Sequence, residues 1–330
     1  MNIKQIGYFI LLWSVWTLLG AALLYVVASS ESDRNFVSIL SLVLSLSPLL
    51  GLMLALGSQK AASQFHNWLG NNKNSIFYLA GGISFLFALP GLLTFTFNPY
   101  LTVIFTIIVF AVFGTLRQNR GANFKLNWSD LAIWIILWIP FDLRWFTELH
   151  PSLDYTWWSV VISVLAIIGW YGYRGADIGY RLVPNFKDLL FAFIALAGIM
   201  LVVVPPGLLS GFLTFYIPES YDILKLAAHF IGLFLTVALP EELFFRGILL
   251  KGLDKVFHKK WIPIAISSLA FGLMHWNNVG GLSTQIIYIS LATVAGFGYA
   301  WAYRKSGNNL FAAILVHTLV DWIWKLFLTG

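Results

Sequence analysis

Six ionisable residues in the second half of the chain stand inside long apolar stretches: Glu241, Glu242, Arg246, His275, His317 and Asp321. An ionisable group inside a membrane costs free energy, so such residues usually face the interior of a helix bundle or an aqueous cavity. Two histidines and three carboxylates are groups that hydrolytic enzymes use, either to hold a metal or to activate a water through a glutamate. These residue types therefore indicate hydrolytic chemistry.

The spacing of these residues predicts which side chains share a helix face. Glu242 and Arg246 are four residues apart and can pair on one face. Glu241 points about 100° away from Glu242 around the helix axis and is free for another task. His317 and Asp321 are also four residues apart, so the acid can orient the ring or bind an ion together with it.

Two further residues, Phe271 and Pro240, belong to the local pattern, and a third, His229, does not. Phe271 lies four residues before His275 and would place an aromatic wall one turn below the histidine. Pro240 interrupts the helical hydrogen-bond ladder just before the glutamates and suits the first position of a renewed helix. His229 lies near the outer end of its stretch and does not share the depth of the other groups.

Each group on its own also has a structural interpretation. The Glu242–Arg246 pair can be a packing clamp, a single histidine can be a hydrogen-bonded core residue, and Asp321 can reach the membrane interface. Their occurrence together at a similar depth favours a hydrolytic site. No serine stands in a nucleophile-elbow pattern, so serine-type catalysis lacks a candidate residue. No HExxH motif occurs, which excludes an ordinary zincin.

The composition indicates that these groups lie in a membrane. The chain has 330 residues, of which 59% are hydrophobic and only 10% are charged, whereas about 25% of a soluble domain is charged. Apolar stretches of about 20 residues can each cross a bilayer. They predict an all-α fold, a polytopic membrane helical bundle with about 9–11 transmembrane helices. The candidate stretches lie near residues 7–28, 36–57, 76–97, 101–116, 129–141, 157–173, 189–209, 224–250, 262–275, 284–303 and 309–328.

The basic residues predict the orientation of this multi-pass protein. With a cytoplasmic N-terminus, fifteen lysines and arginines fall in inside segments and four in outside segments. The net charge of +6 therefore reflects topology, so the expected partner is the lipid bilayer and nucleic acid is excluded. The chain has no cysteine, which excludes disulfides and thiolate chemistry.

Ionisable groups enter the apolar stretches only in the second half, and this predicts the domain organisation. Residues 1–173 form an N-terminal transmembrane region of unknown role. Residues 174–188, "RGADIGYRLVPNFKD", form a basic cytoplasmic linker. Residues 189–328 form the domain that carries the site.

Three ordered motifs in this domain resemble those of a known family. "EELFFR" (241–246) matches EExxxR, "FGLMH" (271–275) matches FxxxH, and "HTLVD" (317–321) matches HxxxN/D. The chain thus resembles the intramembrane endopeptidases of the CAAX prenyl protease and bacteriocin-processing (CPBP, Abi) family, and the resemblance covers roughly 189–328.

The resemblance implies an endopeptidase that hydrolyses a peptide bond of a membrane-associated or prenylated protein or peptide near the cytoplasmic face. It implies that Glu241 and His275 activate the attacking water, with Glu242 among the catalytic residues and Arg246 and Phe271 supporting them. His317 and Asp321 would stabilise the oxyanion.

The resemblance leaves the choice between a glutamic and a metal-dependent protease open. In a metalloprotease version, a divalent metal such as Zn²⁺ would be held by ligands drawn from Glu241, His275, His317 and Asp321. No other cofactor is expected. The best-known prenyl-protein members carry asparagine where this chain has Asp321. Since an ionised carboxylate cannot donate to an oxyanion, Asp321 must be protonated, orient His317 or bind a cation.

Two alternatives from other classes fit the same residues. In a proton-coupled transporter, buried carboxylates and histidines would relay protons, although the clustering of charges in one half of the chain and the lack of repeat symmetry argue against it. A catalytically silent membrane scaffold could retain the same groups.

Overall fold

The computed structural model describes residues 36–120, 124–144, 155–217 and 222–329, so the predicted stretch at 7–28 lies outside the described residues. These residues form eleven helices and two very short strands. The helices are α1 (Phe36–Leu56), α2 (Gln59–Asn71), α3 (Ser75–Leu93), α4 (Pro99–Gln118), α5 (Trp128–Asp142), α6 (Tyr155–Tyr173), α7 (Phe186–Leu209), α8 (Ile223–Leu253), α9 (Trp261–Leu273), α10 (Leu282–Lys305) and α11 (Leu310–Phe327). The strands are β1 (Thr214–Phe215) and β2 (Leu328–Thr329), and a 3₁₀ turn, Trp276–Asn278, follows α9.

Seven of the described helices are long and apolar enough to cross a membrane, or eight if the bent pair α1–α2 counts as one span. This confirms the predicted all-α, polytopic membrane fold. The number is below the predicted nine to eleven in the described part of the chain for two reasons. Helices α5 and α9 have only 15 and 13 residues, short of the roughly 20 that cross about 30 Å of hydrocarbon. Helices α1 and α2 meet at 106°.

The described residues fall into two compact units, of which the first comprises residues 36–120, 139–144 and 155–175. Within it, α1 packs against α3 and α6, and α3 packs against α4. The α6 helix is the most deeply buried of these, and the Trp157 indole N–H donates to the Ser45 hydroxyl at 3.0 Å. At Gly169 an added Cβ would lie 2.6 Å from Leu116, so α6 approaches α4 more closely than a larger residue would allow.

The second unit comprises the described residues 124–138, 176–217 and 222–329 and contains every predicted site residue. Within it, α10 packs against α7, α9 and α11. The approach of α9 to α10 requires a glycine, because a Cβ at Gly272 would lie 2.0 Å from Oγ1 of Thr293. Strands β1 and β2 pair antiparallel, with Thr214 opposite Thr329 and Phe215 opposite Leu328.

The predicted linker 174–188 has a packed centre. Ile178 and Tyr180 are buried, and burial raises the pKa of the Tyr180 hydroxyl above its ordinary value. Gly179 adopts a positive φ of 72°, and its carbonyl accepts from the Leu310 N–H at the start of α11. Residues from Ala176 onward are therefore part of the second unit.

Helix α8 is not a regular α-helix. It contains two π-helical segments, Phe234–Ala238 and Leu243–Leu250, separated by the short α-helical segment Leu239–Glu242. Pro240 stands at the start of that segment, as expected for a residue with no N–H to donate to the preceding turn. π-helical turns are rare and often mark functional sites. The two adjacent glutamates thus lie between two widened turns.

Candidate active site

A carboxylate with two donors lies at the base of the site. Oε1 of Glu242 accepts hydrogen bonds from Nη1 of Arg246 at 2.9 Å and from Nδ1 of His317 at 2.8 Å. The Glu242 and Arg246 side chains are fully buried, and that of His317 is 3% exposed. Buried charges require a partner of opposite sign. Glu242 therefore joins α8 to α11 through one oxygen atom.

Aromatic rings and a backbone carbonyl enclose the Arg246 guanidinium. Its carbon lies 4.5 Å from the ring centre of Phe271 and 5.2 Å from that of Tyr299, and both faces attract a cation. Nη2 donates to the Gly296 carbonyl at 2.9 Å. A Cβ at Gly296 would come within 3.1 Å of Nη2, so the glycine makes room for the guanidinium.

Two aromatic rings and a hydrogen bond hold the His317 ring in place. It stacks on Tyr299 at 4.6 Å, and Phe271 meets it edge-on at 5.5 Å. Because the Glu242 carboxylate can only accept at Nδ1, Nδ1 carries a proton. Nε2 lies 3.4 Å from Oδ2 of Asp321 and 3.7 Å from Oε2 of Glu241. When the ring is protonated, it can donate in both directions.

A backbone hydrogen bond fixes the tautomer of His275. Its Nδ1 lies 2.9 Å from the Phe271 carbonyl, which can only accept, so Nδ1 is the protonated nitrogen of the neutral ring. Nε2 therefore carries the lone pair. The ring packs against Phe271 at 4.8 Å and against Tyr288 at 5.1 Å. Phe271 thus contacts both histidines of the site.

The site has a buried layer and an accessible layer. Glu242, Arg246, His317 and Phe271 are buried, whereas the Glu241 side chain is 14% exposed and that of Asp321 is 30% exposed. His275 is partly exposed as well. His229 lies twelve residues before Glu241 in the same helix, about 18 Å along its axis. The accessible groups are therefore two carboxylates and a histidine.

The described residues contain no group of three or more His, Cys, Asp or Glu side chains arranged to hold a metal ion. The predicted metal ligands include two histidines whose Nδ1 atoms already donate to oxygen acceptors. Donation from Nδ1 to an oxygen is the usual arrangement of a metal-binding histidine and leaves Nε2 as the coordinating atom, so these bonds do not exclude a metal. The described side chains are not grouped around one point as a metal centre would require.

Three residues of α10 belong to the site and escaped prediction from the sequence. Tyr299 stacks on His317, Gly296 accepts from Arg246, and Tyr288 contacts His275. The other site residues were identified because they are charged residues, histidines or members of the motifs inside apolar stretches. Tyr288, Gly296 and Tyr299 carry no such signal. Their three- and eight-residue spacings were compatible with one helix face but did not distinguish them from ordinary core residues.

The fold and the site define a polytopic membrane protein with a buried cluster of glutamate, arginine and histidine. Residues 223–323, which span α8 to nearly the end of α11, match the family model described as type II CAAX prenyl endopeptidase, Rce1-like. The match confirms the resemblance drawn from the three motifs and supports the CAAX prenyl protease and bacteriocin-processing family for this segment. The match supports a protease of the intramembrane endopeptidase class. No curated protein and no solved structure shows significant similarity to the chain.

Proposed function

We propose that the protein is an intramembrane endopeptidase that hydrolyses a peptide bond of a membrane-associated or prenylated protein near the cytoplasmic face. The observation that carries the proposal is the position of His317. Its Nδ1 is anchored on Glu242 at 2.8 Å, and its Nε2 faces the accessible carboxylates Glu241 and Asp321. The family match over residues 223–323 supports the same reaction class.

Glu241 acts as the general base in this proposal. It is the accessible member of the glutamate pair, since Glu242 is fully buried and accepts from both Arg246 and His317. Its carboxylate takes a proton from a water molecule, and the hydroxide attacks the carbonyl carbon of the scissile bond. The same carboxyl group then gives the proton to the leaving amine.

His275 holds the attacking water together with Glu241. The bond to the Phe271 carbonyl leaves the lone pair on Nε2, so this atom can accept a hydrogen bond from the water. Its fixed tautomer avoids the reorganisation that a mobile ring would require at the moment of attack.

His317 stabilises the oxyanion of the tetrahedral intermediate. In its protonated form, Nε2–H is a charge-assisted donor directed towards the accessible layer. Before attack, Oδ2 of Asp321 lies 3.4 Å from Nε2 and can orient the ring, and the Nε2–H is shared with the oxyanion once that forms. Of the three roles open to Asp321, the contact favours orientation of His317 over donation to the oxyanion.

The test of this function is cleavage by the full-length protein in liposomes. Peptides with a C-terminal prenylated cysteine motif and matched unprenylated peptides are added, and the new amino termini are quantified. We expect cleavage by the wild-type protein and none by Glu241→Gln. A folded wild-type protein that cleaves neither peptide set nor any membrane-associated substrate would favour the silent-scaffold alternative. Proton flux without cleavage would favour the transporter.

A further inference from the structure

Three consecutive residues of α8 are each bound to a different neighbouring helix. The Phe244 carbonyl accepts from the Trp134 indole N–H of α5 at 3.0 Å, and the Phe245 carbonyl accepts from the Ser267 hydroxyl of α9 at 2.8 Å. Arg246 donates to the Gly296 carbonyl of α10. All three hydrogen bonds are buried. They lie at the start of the π-helical segment Leu243–Leu250, directly after the two glutamates.

These contacts matter because the π-helical register of α8 sets the orientation of the two glutamates. A return to α-helix would shift the backbone bonds from i+5 to i+4 and rotate the glutamates relative to the rest of α8. A hydrogen bond of 2.8 Å tolerates a displacement of only about 0.5 Å. The bond between Glu242 and His317 therefore depends on the widened turn, and donors from α5 and α9 bind the carbonyls of that turn.

We propose that Trp134 and Ser267 are positioning residues of the proteolytic site, holding the π-helical turn that presents Glu241 and Glu242. This inference rests on the proposed function. It also assigns a role to a residue outside the family-matched segment, because Trp134 lies about ninety residues before residue 223. The aromatic packing agrees with this role, since Trp134 meets Phe245 edge-on at 5.5 Å.

The chain offers a matched control for each donor. Ser268 is as fully buried as Ser267, but its hydroxyl has no hydrogen-bond partner among the described residues. Ser267→Ala and Ser268→Ala thus delete the same atom from adjacent positions of α9, and only the first removes a bond to α8. Trp138→Phe removes the same atoms as Trp134→Phe from the same aromatic cluster and leaves the bond to the Phe244 carbonyl intact.

The test combines amide hydrogen exchange with kinetics on the full-length protein in detergent or nanodiscs. Exchange over residues 243–251 should rise in Ser267→Ala and Trp134→Phe and stay at the wild-type rate in Ser268→Ala and Trp138→Phe. The turnover number on the cleaved peptide should fall about tenfold in the first pair with an unchanged KM, since one buried hydrogen bond is lost.

The two readouts separate the inference from the proposed function. Altered exchange in a protein that cleaves nothing would contradict the proteolytic function and leave the holding role of the two donors intact. Wild-type exchange over 243–251 in Ser267→Ala and Trp134→Phe would overturn the inference. Altered exchange with an unchanged turnover number would also overturn the inference. So would control variants, Ser268→Ala and Trp138→Phe, that change exchange and turnover as much as Ser267→Ala and Trp134→Phe do.

Discussion

Nδ1 of His317 lies 2.8 Å from Oε1 of Glu242, although the two residues are 75 positions apart in the chain. The same oxygen accepts from Arg246 at 2.9 Å. One carboxylate oxygen therefore holds two hydrogen-bond donors that come from different helices. The relationship separates the adjacent glutamates into a buried anchor, Glu242, and an accessible carboxylate, Glu241.

Replacement of Glu241 by glutamine should abolish cleavage. The substitution keeps the shape of the side chain and removes only the proton acceptor, so we expect a loss of at least about a hundredfold in turnover. The measurement is the initial cleavage rate of purified protein, with the circular dichroism spectrum as a check of folding.

His229→Ala is the control for that variant, because His229 lies in the same helix about 18 Å away along its axis. It should cleave at close to the wild-type rate. A Glu241→Gln protein that turns over substrate at the normal rate would remove the catalytic assignment.

The buried pair Glu242–Arg246 should show strong energetic coupling. Removal of one partner leaves a buried charge, which costs about 3–5 kcal/mol, whereas removal of both is much less costly. Glu242→Gln should therefore lower the thermal stability more than the double variant Glu242→Gln/Arg246→Met does. Thermal unfolding in detergent of both single variants and the double variant completes the cycle. Additive losses in stability would show that the pair is not coupled.

Asp321 should tolerate asparagine better than alanine. If Asp321 orients His317, the amide oxygen of Asp321→Asn can still accept from Nε2, and turnover should stay within about tenfold of wild type. Asp321→Ala removes the acceptor and should lower turnover about a hundredfold. Steady-state kinetics on the three proteins decide the point. Equal losses in both variants would indicate that the carboxylate charge itself is required.

Chelators distinguish the two mechanisms that the family resemblance leaves open. With Glu241 as the general base, water activation requires no metal, so we expect cleavage to persist after treatment with a strong chelator and dialysis. Loss of activity that is restored by Zn²⁺ would instead favour a metal held by His275 and His317 after rearrangement. A chelator already saturated with Ca²⁺ controls for non-specific effects.

The excess of basic residues on one side predicts a cytoplasmic N-terminus and an extracytoplasmic C-terminus. A reporter fused after Gly330 should therefore be labelled from outside the cell. Labelling only from the cytoplasm would contradict the orientation. A second reporter placed in the 251–260 segment, which carries four lysines, should give the opposite result.

The sequence predicted the helices well because a membrane helix needs a long apolar stretch, which is visible without any partner. Ten of the eleven predicted stretches coincide with described helices, and the pairing of Glu242 with Arg246 follows from their spacing. The amphipathic helix α2 went unpredicted, since it is too polar to stand out as a span.

The connection between Glu242 and His317 could not be predicted in the same way. In a membrane helix the lipid-facing and protein-facing residues are both apolar, so hydrophobic periodicity does not reveal which faces meet. The stacking of Tyr299 on His317 and the bond from Trp134 to Phe244 depend on this packing. The π-helical register of α8 also has no local sequence pattern beyond Pro240 that would have predicted it.

The pairing of β1 with β2 has a consequence for the parity of the membrane crossings. Two hydrogen-bonded strands lie on one side of the bilayer, so the chain between Phe215 and Leu328 must cross an even number of times. Helices α8, α10 and α11 are each long enough for one crossing, which makes three. The parity thus predicts a fourth crossing by α9 together with the turn that follows it, in agreement with the predicted stretch 262–275, although the 13 residues of α9 are too few for an isolated span. His275 lies at the junction of α9 and that turn, so it belongs to the segment that makes the number of crossings between β1 and β2 even.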